Sequence, residues 1–488
     1  MPLTTASRTP GEDQEDPAGR PPAGRSVRSA LRPLVLRLHF YAGVCVAPFL
    51  LVAAVTGLLY ACSFQAEKVV YAHELRVPVG TSELPVARQV AAARTAHPEG
   101  KVSAVRPSPE PGATTRVLLS GVPGVASGHT LAVFVNPYTA EVRGALEQYG
   151  STGALPLRTW IDEFHRDLHL GGVGRLYSEF AASWLWVITG GGLLLWCGRR
   201  RSQRRVRGVS GRRRALSLHG AVGVWAAAGL FFLSATGLTW SAYAGAHISD
   251  LRDALGQATP AVSAAAAPGG EHAGHDMSAG HGGHGGHDMR NMPMHGGGTG
   301  GDVGLDAVLK AARGEGLSDP VEIVPPAGDS SAYVVQQIGR SWPEKQDAVA
   351  VDPGSGEVTD VVRFADYPVL AKLTRWGVDA HTGTLFGLVN QVVLAALALA
   401  LVVLILLGYR MWWQRGRGTA FGRPVPRGAW RNVPLRLGLP LAAAVAVLGW
   451  FVPLLGIPLV VFLVADIALG AVARRSARGD RGASAAAG

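Results

Sequence analysis

The sequence predicts an α-helical integral membrane protein with four core transmembrane helices plus a C-terminal hairpin, six in all, and two extracytoplasmic α+β modules. Three observations carry that expectation. Apolar runs at 40–60, 180–197, 221–240 and 385–408 each approach the ~20 residues that cross a bilayer core. Arginine clusters flank these runs on alternate sides. One stretch occurs twice: Arg37-Leu38-His39-Phe40-Tyr41-Ala42-Gly43 leads to Thr56-Gly57-Leu58, and Ser217-Leu218-His219-Gly220-Ala221-Val222-Gly223 leads to Thr236-Gly237-Leu238. In each copy glycine follows the histidine by four residues and Thr-Gly-Leu begins seventeen after it, so a whole helix is repeated.

The formal charge of +11 over 488 residues comes mostly from those arginine clusters, so it reads as a topology signal. The expected partner is membrane lipid, with no nucleic acid. Three cysteines, Cys45, Cys62 and Cys197, give no disulfide framework. Leu59-Tyr60-Ala61-Cys62 is faintly like a lipoprotein cleavage site, but the apolar run before it is longer than a signal h-region.

Taken in order, residues 1–34 are rich in Pro, Gly, Arg and acidic residues without apolar periodicity, which predicts a disordered tail. Arg20, Arg25, Arg28, Arg32 and Arg37 place that tail in the cytoplasm, so the first helix, 35–62, exits on the far side. Residues 63–165 form the first module: Pro85 to Ala96 reads as a short helix, and Lys101 to Arg106, Thr115 to Ser120 and Thr130 to Val135 alternate like strands. The second helix, 175–198, returns to a loop at 199–215, where nine arginines and no acid lie between Arg199 and Arg214. The third helix, 216–241, carries the second copy of the repeat.

A low-complexity insert at 258–301 comes next, and then the module recurs at 302–375. Val351-Asp352-Pro353-Gly354-Ser355-Gly356-Glu357-Val358 echoes Val135-Asn136-Pro137-Tyr138-Thr139-Ala140-Glu141-Val142, so modules and helices are duplicated together. The fourth helix, 383–409, leads to a second basic loop at 410–433. A hairpin at 435–472 brings a disordered tail, 473–488, back to the cytoplasm.

This order, with Arg37-Leu38-His39, Thr56-Gly57-Leu58, Phe164-His165-Arg166-Asp167-Leu168-His169-Leu170-Gly171, Leu218-His219-Gly220, His381-Thr382-Gly383-Thr384-Leu385-Phe386-Gly387 and Met411-Trp412-Trp413, resembles the PepSY-associated transmembrane helix family. The likeness covers roughly 35–415. It implies PepSY-like modules in a bacterial plasma membrane, and, through relatives that reduce iron-siderophore chelates, a ferric-siderophore substrate. The insert and the terminal hairpin depart from the family pattern.

Ionisable groups at membrane depth are costly and therefore functional candidates. His39 and His219 are the first pair, because haem with two axial imidazoles needs a histidine from each of two facing helices, and repeat-related helices supply that symmetrically. On the outer side His381 pairs with His165 or His169, which share a face if the segment is helical. The His-Arg-Asp motif favours His165 by resemblance, whereas a glycine two residues on, as in His381 with Gly383, favours His169. The expected cofactors are thus two bis-His haems, one per leaflet, with Arg37, Arg166, Arg175 and Arg375 as candidate propionate partners. His247 lies beyond the third helix.

The insert holds His272, His275, Met277, His281, His284, His287, Met289, Met292, Met294 and His295. Imidazole and thioether together suit copper, above all Cu(I), in a loose capture site. Trp412 and Trp413 read as interface anchors, and Asp466 as a helix end or a partner for an arginine. No Gly-x-Gly-x-x-Gly follows a strand, so the electron donor is quinol or a separate protein. The leading reading is a di-haem electron-transfer protein reducing an extracytoplasmic ferric siderophore or cupric ion. The alternatives are a non-enzymatic metal-homeostasis membrane protein and a PepSY-type regulator.

Overall fold

The computed structural model describes residues 27–200, 211–264, 302–328, 331–415 and 435–486. Helix α1, Val27–Cys45, starts inside the stretch expected to be disordered, where Arg28, Ala30, Leu31, Arg32 and Leu34 are good helix formers. Helix α2, Ala47–Val70, follows almost in line. The break falls where Pro48, lacking an N–H, leaves the Val44 carbonyl without its usual donor. Tyr409 supplies one, its hydroxyl lying 3.2 Å from Val44 O. The first expected helix is therefore two segments and runs eight residues beyond 62.

After a single turn, α3 (Ala72–Leu75), the first module comprises α4 (Val86–Ala96), strands β1 (Lys101–Arg106), β2 (Thr115–Ser120), β3 (His129–Val135) and β4 (Val142–Tyr149), and helix α5 (Pro156–Asp167). Helices α6 (Gly171–Arg200), α7 (Arg212–Thr239) and α8 (Ala244–Ala254) lead to the second copy. That copy holds α9 (Leu305–Gly314), β5 (Val321–Val324), β6 (Tyr333–Gln337), β7 (Ala348–Val351), β8 (Val358–Val362) and α10 (Val369–Thr382). Helices α11 (Gly387–Arg415), α12 (Leu435–Phe451) and α13 (Pro453–Ala486) complete the chain. The expected C-terminal tail from 473 is helical to Ala486, in keeping with its alanine and arginine content.

The two modules are not separate bodies. Their strands join in one antiparallel sheet ordered β4-β3-β2-β1-β5-β6-β7-β8, with Val105 opposite Ile323 at the junction. That order is palindromic, as two-fold-related repeats require. Alternating apolar residues from both halves build one core on the outer face: Val105, Val117, Val133 and Val135 meet Ile323, Val335, Val349 and Val351. Helices α4 and α9 cover it with Val90 and Ala93, and Val308 and Ala312. The opposite face turns toward the helix bundle and is more polar at the junction, where Arg106 and Glu322 pair at 2.6 Å.

Among the described residues five helices have the length and apolarity to cross a membrane: 47–70, 171–198, 212–239, 387–414 and 453–472. The sixth expected span, α12, is apolar but only 17 residues long. Helix α6 packs on α7, α11 on α2 and α7, and α1 on α6, around Ala42, Leu50, Trp184, Leu185, Leu230 and Leu404.

Candidate functional site

Four of the histidines singled out by sequence meet in two pairs at opposite ends of the bundle. His39 on α1 and His219 on α7 form the distal pair, far from the sheet, with ring centres 6.3 Å apart and planes crossed at 76°. His39 Nδ1 lies 2.9 Å from Ile188 O on α6, and His219 Nδ1 lies 3.1 Å from Leu404 O on α11. A carbonyl only accepts, so each Nδ1 carries the proton and each Nε2 keeps a lone pair. Space for the rings comes from glycine one turn beyond each acceptor. A Cβ at Gly192 would stand 3.0 Å from His39 Cε1, and one at Gly408 would stand 4.0 Å from His219 Cε1.

At the sheet end, α5 presents His165 and the last turn of α10 presents His381. Here the repeated Thr-Gly-Leu acquires its role. Thr56 donates its hydroxyl hydrogen to Val52 O at 2.8 Å, so its oxygen accepts from His165 Nδ1, also at 2.8 Å. Thr236 likewise donates to Phe232 O at 2.8 Å and accepts from His381 Nδ1 at 2.6 Å. The neighbouring glycines clear room, a Cβ at Gly57 falling 3.2 Å from His165 Cε1 and one at Gly237 falling 3.8 Å from His381 Cε1. All four imidazoles therefore keep a lone pair on Nε2, and among the described residues none of the four is hydrogen-bonded through it. In the second half one helix, α7, carries the distal His219 and holds the sheet-side His381 through Thr236; in the first half the two roles fall on consecutive segments, His39 on α1 and Thr56 on α2.

His165 and His381 line a cavity of about 2450 Å³ between the bundle and the polar face of the sheet. Removal from water pushes the His165 imidazole down to about 4. The same burial, with His165 nearby, pushes His381 down to about 3, so both rings are neutral and able to ligate. Trp240 packs edge-on against His381, ring centres 5.3 Å apart. Asp162 also lines the cavity, and burial raises its carboxyl to about 6 against the opposing pull of Arg166 and Arg158.

His169 is placed elsewhere. Helix α5 ends at Leu168 and His169, both with φ of +56°, and that turn carries His169 to the surface, away from the cavity. Its Nδ1 lies 3.4 Å from Glu163, and its ring rests on Trp160 and Phe164. His247 is tied to the hairpin through Phe451 O, 2.9 Å from its Nδ1.

The candidate arginines divide between the two ends. Arg37 is buried against Asp466 of α13 and over the ring of Tyr41. Arg166, Arg175 and Arg375 line the cavity, bonded to Asp167, to Trp240 O and to Glu344 respectively. Glu344 is itself held above the usual carboxylate range by burial and by its contact with Asp379. Trp412 packs against Tyr409 with the ring planes tilted by 45°, while Trp413 is exposed.

His272, His275, Met277, His281, His284, His287, Met289, Met292, Met294 and His295 all lie outside the described residues. Among the described residues no group of three or more His, Cys, Asp or Glu is arranged to hold a metal ion. The distal pair has a spacing that suits a different ligand. Two rings on opposite sides of one iron, each nitrogen ~2 Å from it, have centres roughly 6 Å apart. The 6.3 Å of the distal pair matches that spacing. Sequence reasoning missed Thr56, Thr236, Gly192 and Gly408. The identical Thr-Gly-Leu spacing is the sequence signal that bears on Thr56 and Thr236.

A family model described as "PepSY-associated TM region" matches residues 36–415. A comparison with curated proteins finds no match.

Proposed function

The chain belongs to the PepSY-associated transmembrane family, and from that premise we propose a membrane di-haem electron-transfer protein that reduces an extracytoplasmic metal substrate. The observation that supports this reading most is the shared preparation of four histidines, each with Nδ1–H committed to an acceptor and a lone pair kept on Nε2. Such acceptors fix tautomer and ring orientation and raise ligand basicity, as expected around metal-bound histidine. His39 with His219 would hold one haem and His165 with His381 the other. Haem iron, when bound, supplies a one-electron couple at each end of the bundle.

The chain's own residues do the rest. The glycines beside the rings leave them their space. Arg166, Arg175 and Arg375 offer the cavity charge-assisted bonds to carboxylates such as propionates, and Arg37 is the corresponding candidate at the distal end. The cavity exceeds the ~300–1,000 Å³ of an ordinary ligand pocket, which leaves room for a metal chelate beside the sheet-side site. Arginine loops orient the distal layer to the cytoplasm and the sheet outward. The donor in this reading is quinol or a separate protein.

Ferric siderophore is the substrate class that the resemblance implies, and cupric ion the one that the insert suggests. Residues 259–264, at the start of the insert, line the cavity, which favours delivery of captured copper there. A second reading, a non-enzymatic metal-homeostasis protein, draws on the same His/Met composition. The reduced-minus-oxidised visible spectrum of the purified full chain separates the two. Soret and α bands of bis-His haem are expected. Their absence after expression with adequate haem would overturn the electron-transfer reading.

A further inference from the structure

The two pairs differ in what accepts the Nδ1–H. At the distal pair both acceptors are main-chain amide carbonyls, Ile188 O and Leu404 O, at 2.9 and 3.1 Å. At the sheet-side pair both are side-chain hydroxyls, Thr56 and Thr236, at 2.8 and 2.6 Å. The pattern is the same in each half of the repeat, so it distinguishes the two ends of the molecule and not its two halves.

Amide resonance draws electron density onto the carbonyl oxygen and makes it a stronger acceptor than an alcohol oxygen. The threonine hydroxyls are polarised by their own donation to Val52 O and Phe232 O, at 2.8 Å each, yet they remain alcohols. A stronger acceptor leaves more density on the imidazole, and a more basic imidazole favours the oxidised iron. Hydrogen bonding to an axial ligand is one of the levers by which a protein sets the potential of a haem.

We infer that Thr56 and Thr236 are positioning residues that make the sheet-side site the more oxidising of the two, so that electrons run downhill from the distal pair toward the cavity. This rests on the haem assignment proposed above. The transfer moves one electron, oxidising the distal site and reducing the sheet-side site by one, with no bond made or broken. Direction is then a property of the fold: the Thr-Gly of each repeat, seventeen residues from its distal histidine, carries it.

The test is a spectroelectrochemical titration of the purified, haem-loaded full chain. Two components are expected, and the lower-potential one should be missing from His219→Ala. In Thr56→Val and Thr236→Val the upper component should move higher, because the Nδ1–H loses its acceptor, while the lower one stays in place. Thr56→Ser and Thr236→Ser should restore the wild-type value, which a purely steric role would not require. Loss of the upper component in His219→Ala, or no movement in the haem-loaded valine variants, would overturn this inference and leave the haem reading standing. A chain without any haem bands would overturn both.

Discussion

The carbonyl of Ile188 accepts the Nδ1–H of His39 at 2.9 Å, and Gly192, one turn later on the same helix, leaves the ring its space. Both contacts come from α6, so the distal histidine of the first repeat is set by a helix outside the repeated stretch. Leu404 and Gly408 of α11 do the same for His219.

The glycine distances predict a graded response to alanine. A Cβ at Gly192 meets His39 at 3.0 Å, whereas one at Gly408 clears His219 at 4.0 Å. Gly192→Ala should tilt His39 at a cost of about 1–3 kcal/mol and reduce haem at the distal site. Gly408→Ala should load as wild type. Haem content per chain, measured side by side, checks the contrast.

Glu67 anchors the helix that presents His165. Its Oε1 accepts Leu155 N–H at 2.6 Å and its Oε2 accepts Arg158 Nε–H at 2.7 Å, with both side chains buried. Removing one partner of such a pair costs about 3–5 kcal/mol. Glu67→Ala should lower the thermal midpoint and release the sheet-side haem first, leaving the distal spectrum in place.

The hairpin is fastened to the bundle by a buried ion pair, Arg37 with Asp466, and by Trp184 Nε1–H bonded to Leu454 O at 3.1 Å. Asp466→Leu alone should destabilise by about 3–5 kcal/mol, since it removes one member of a buried ion pair. Adding Arg37→Met should recover most of that loss. Thermal unfolding of the single and double variants in detergent reads the difference.

Asp162 predicts a pH dependence. Its carboxyl is raised to about 6 by burial, so the folded state prefers the neutral acid. Its contribution is fully present below its ordinary carboxylate range, near ~4, and is lost as pH rises through about 6. Asp162→Asn should therefore flatten stability between roughly pH 4 and 6 and unfold later than wild type at pH 7.5. Melting curves at pH 5 and 7.5 decide it.

For the insert, deletion of residues 271–295 should abolish copper binding in calorimetry while leaving the haem spectrum intact. A changed spectrum would show that the insert and the helix histidines are one site.

Local patterns in the sequence carried much of this architecture. Apolar runs and strand alternation located most of the helices and strands, although the first helix extends eight residues further at each end, and the duplicated histidine paired His39 with His219. What escaped depends on long-range geometry. Pairing of β1 with β5, which sets Val105 opposite Ile323 from the other half of the chain, merges two modules that read as independent units. Neither pattern nor spacing distinguished His165 from His169, because the left-handed turn at Leu168 decides which ring enters the cavity. Thr56 and Thr236 looked like helix residues at a conserved interval, and their acceptor role emerges only once α5 and α10 lie across them.

The central claim is tested most directly by haem content per chain in the wild type and in His219→Ala and His381→Ala. Two haems per chain are predicted for the wild type, with each variant losing one and keeping the spectrum of the other. A wild-type chain with a single haem, or variants that lose the same one, would contradict the account.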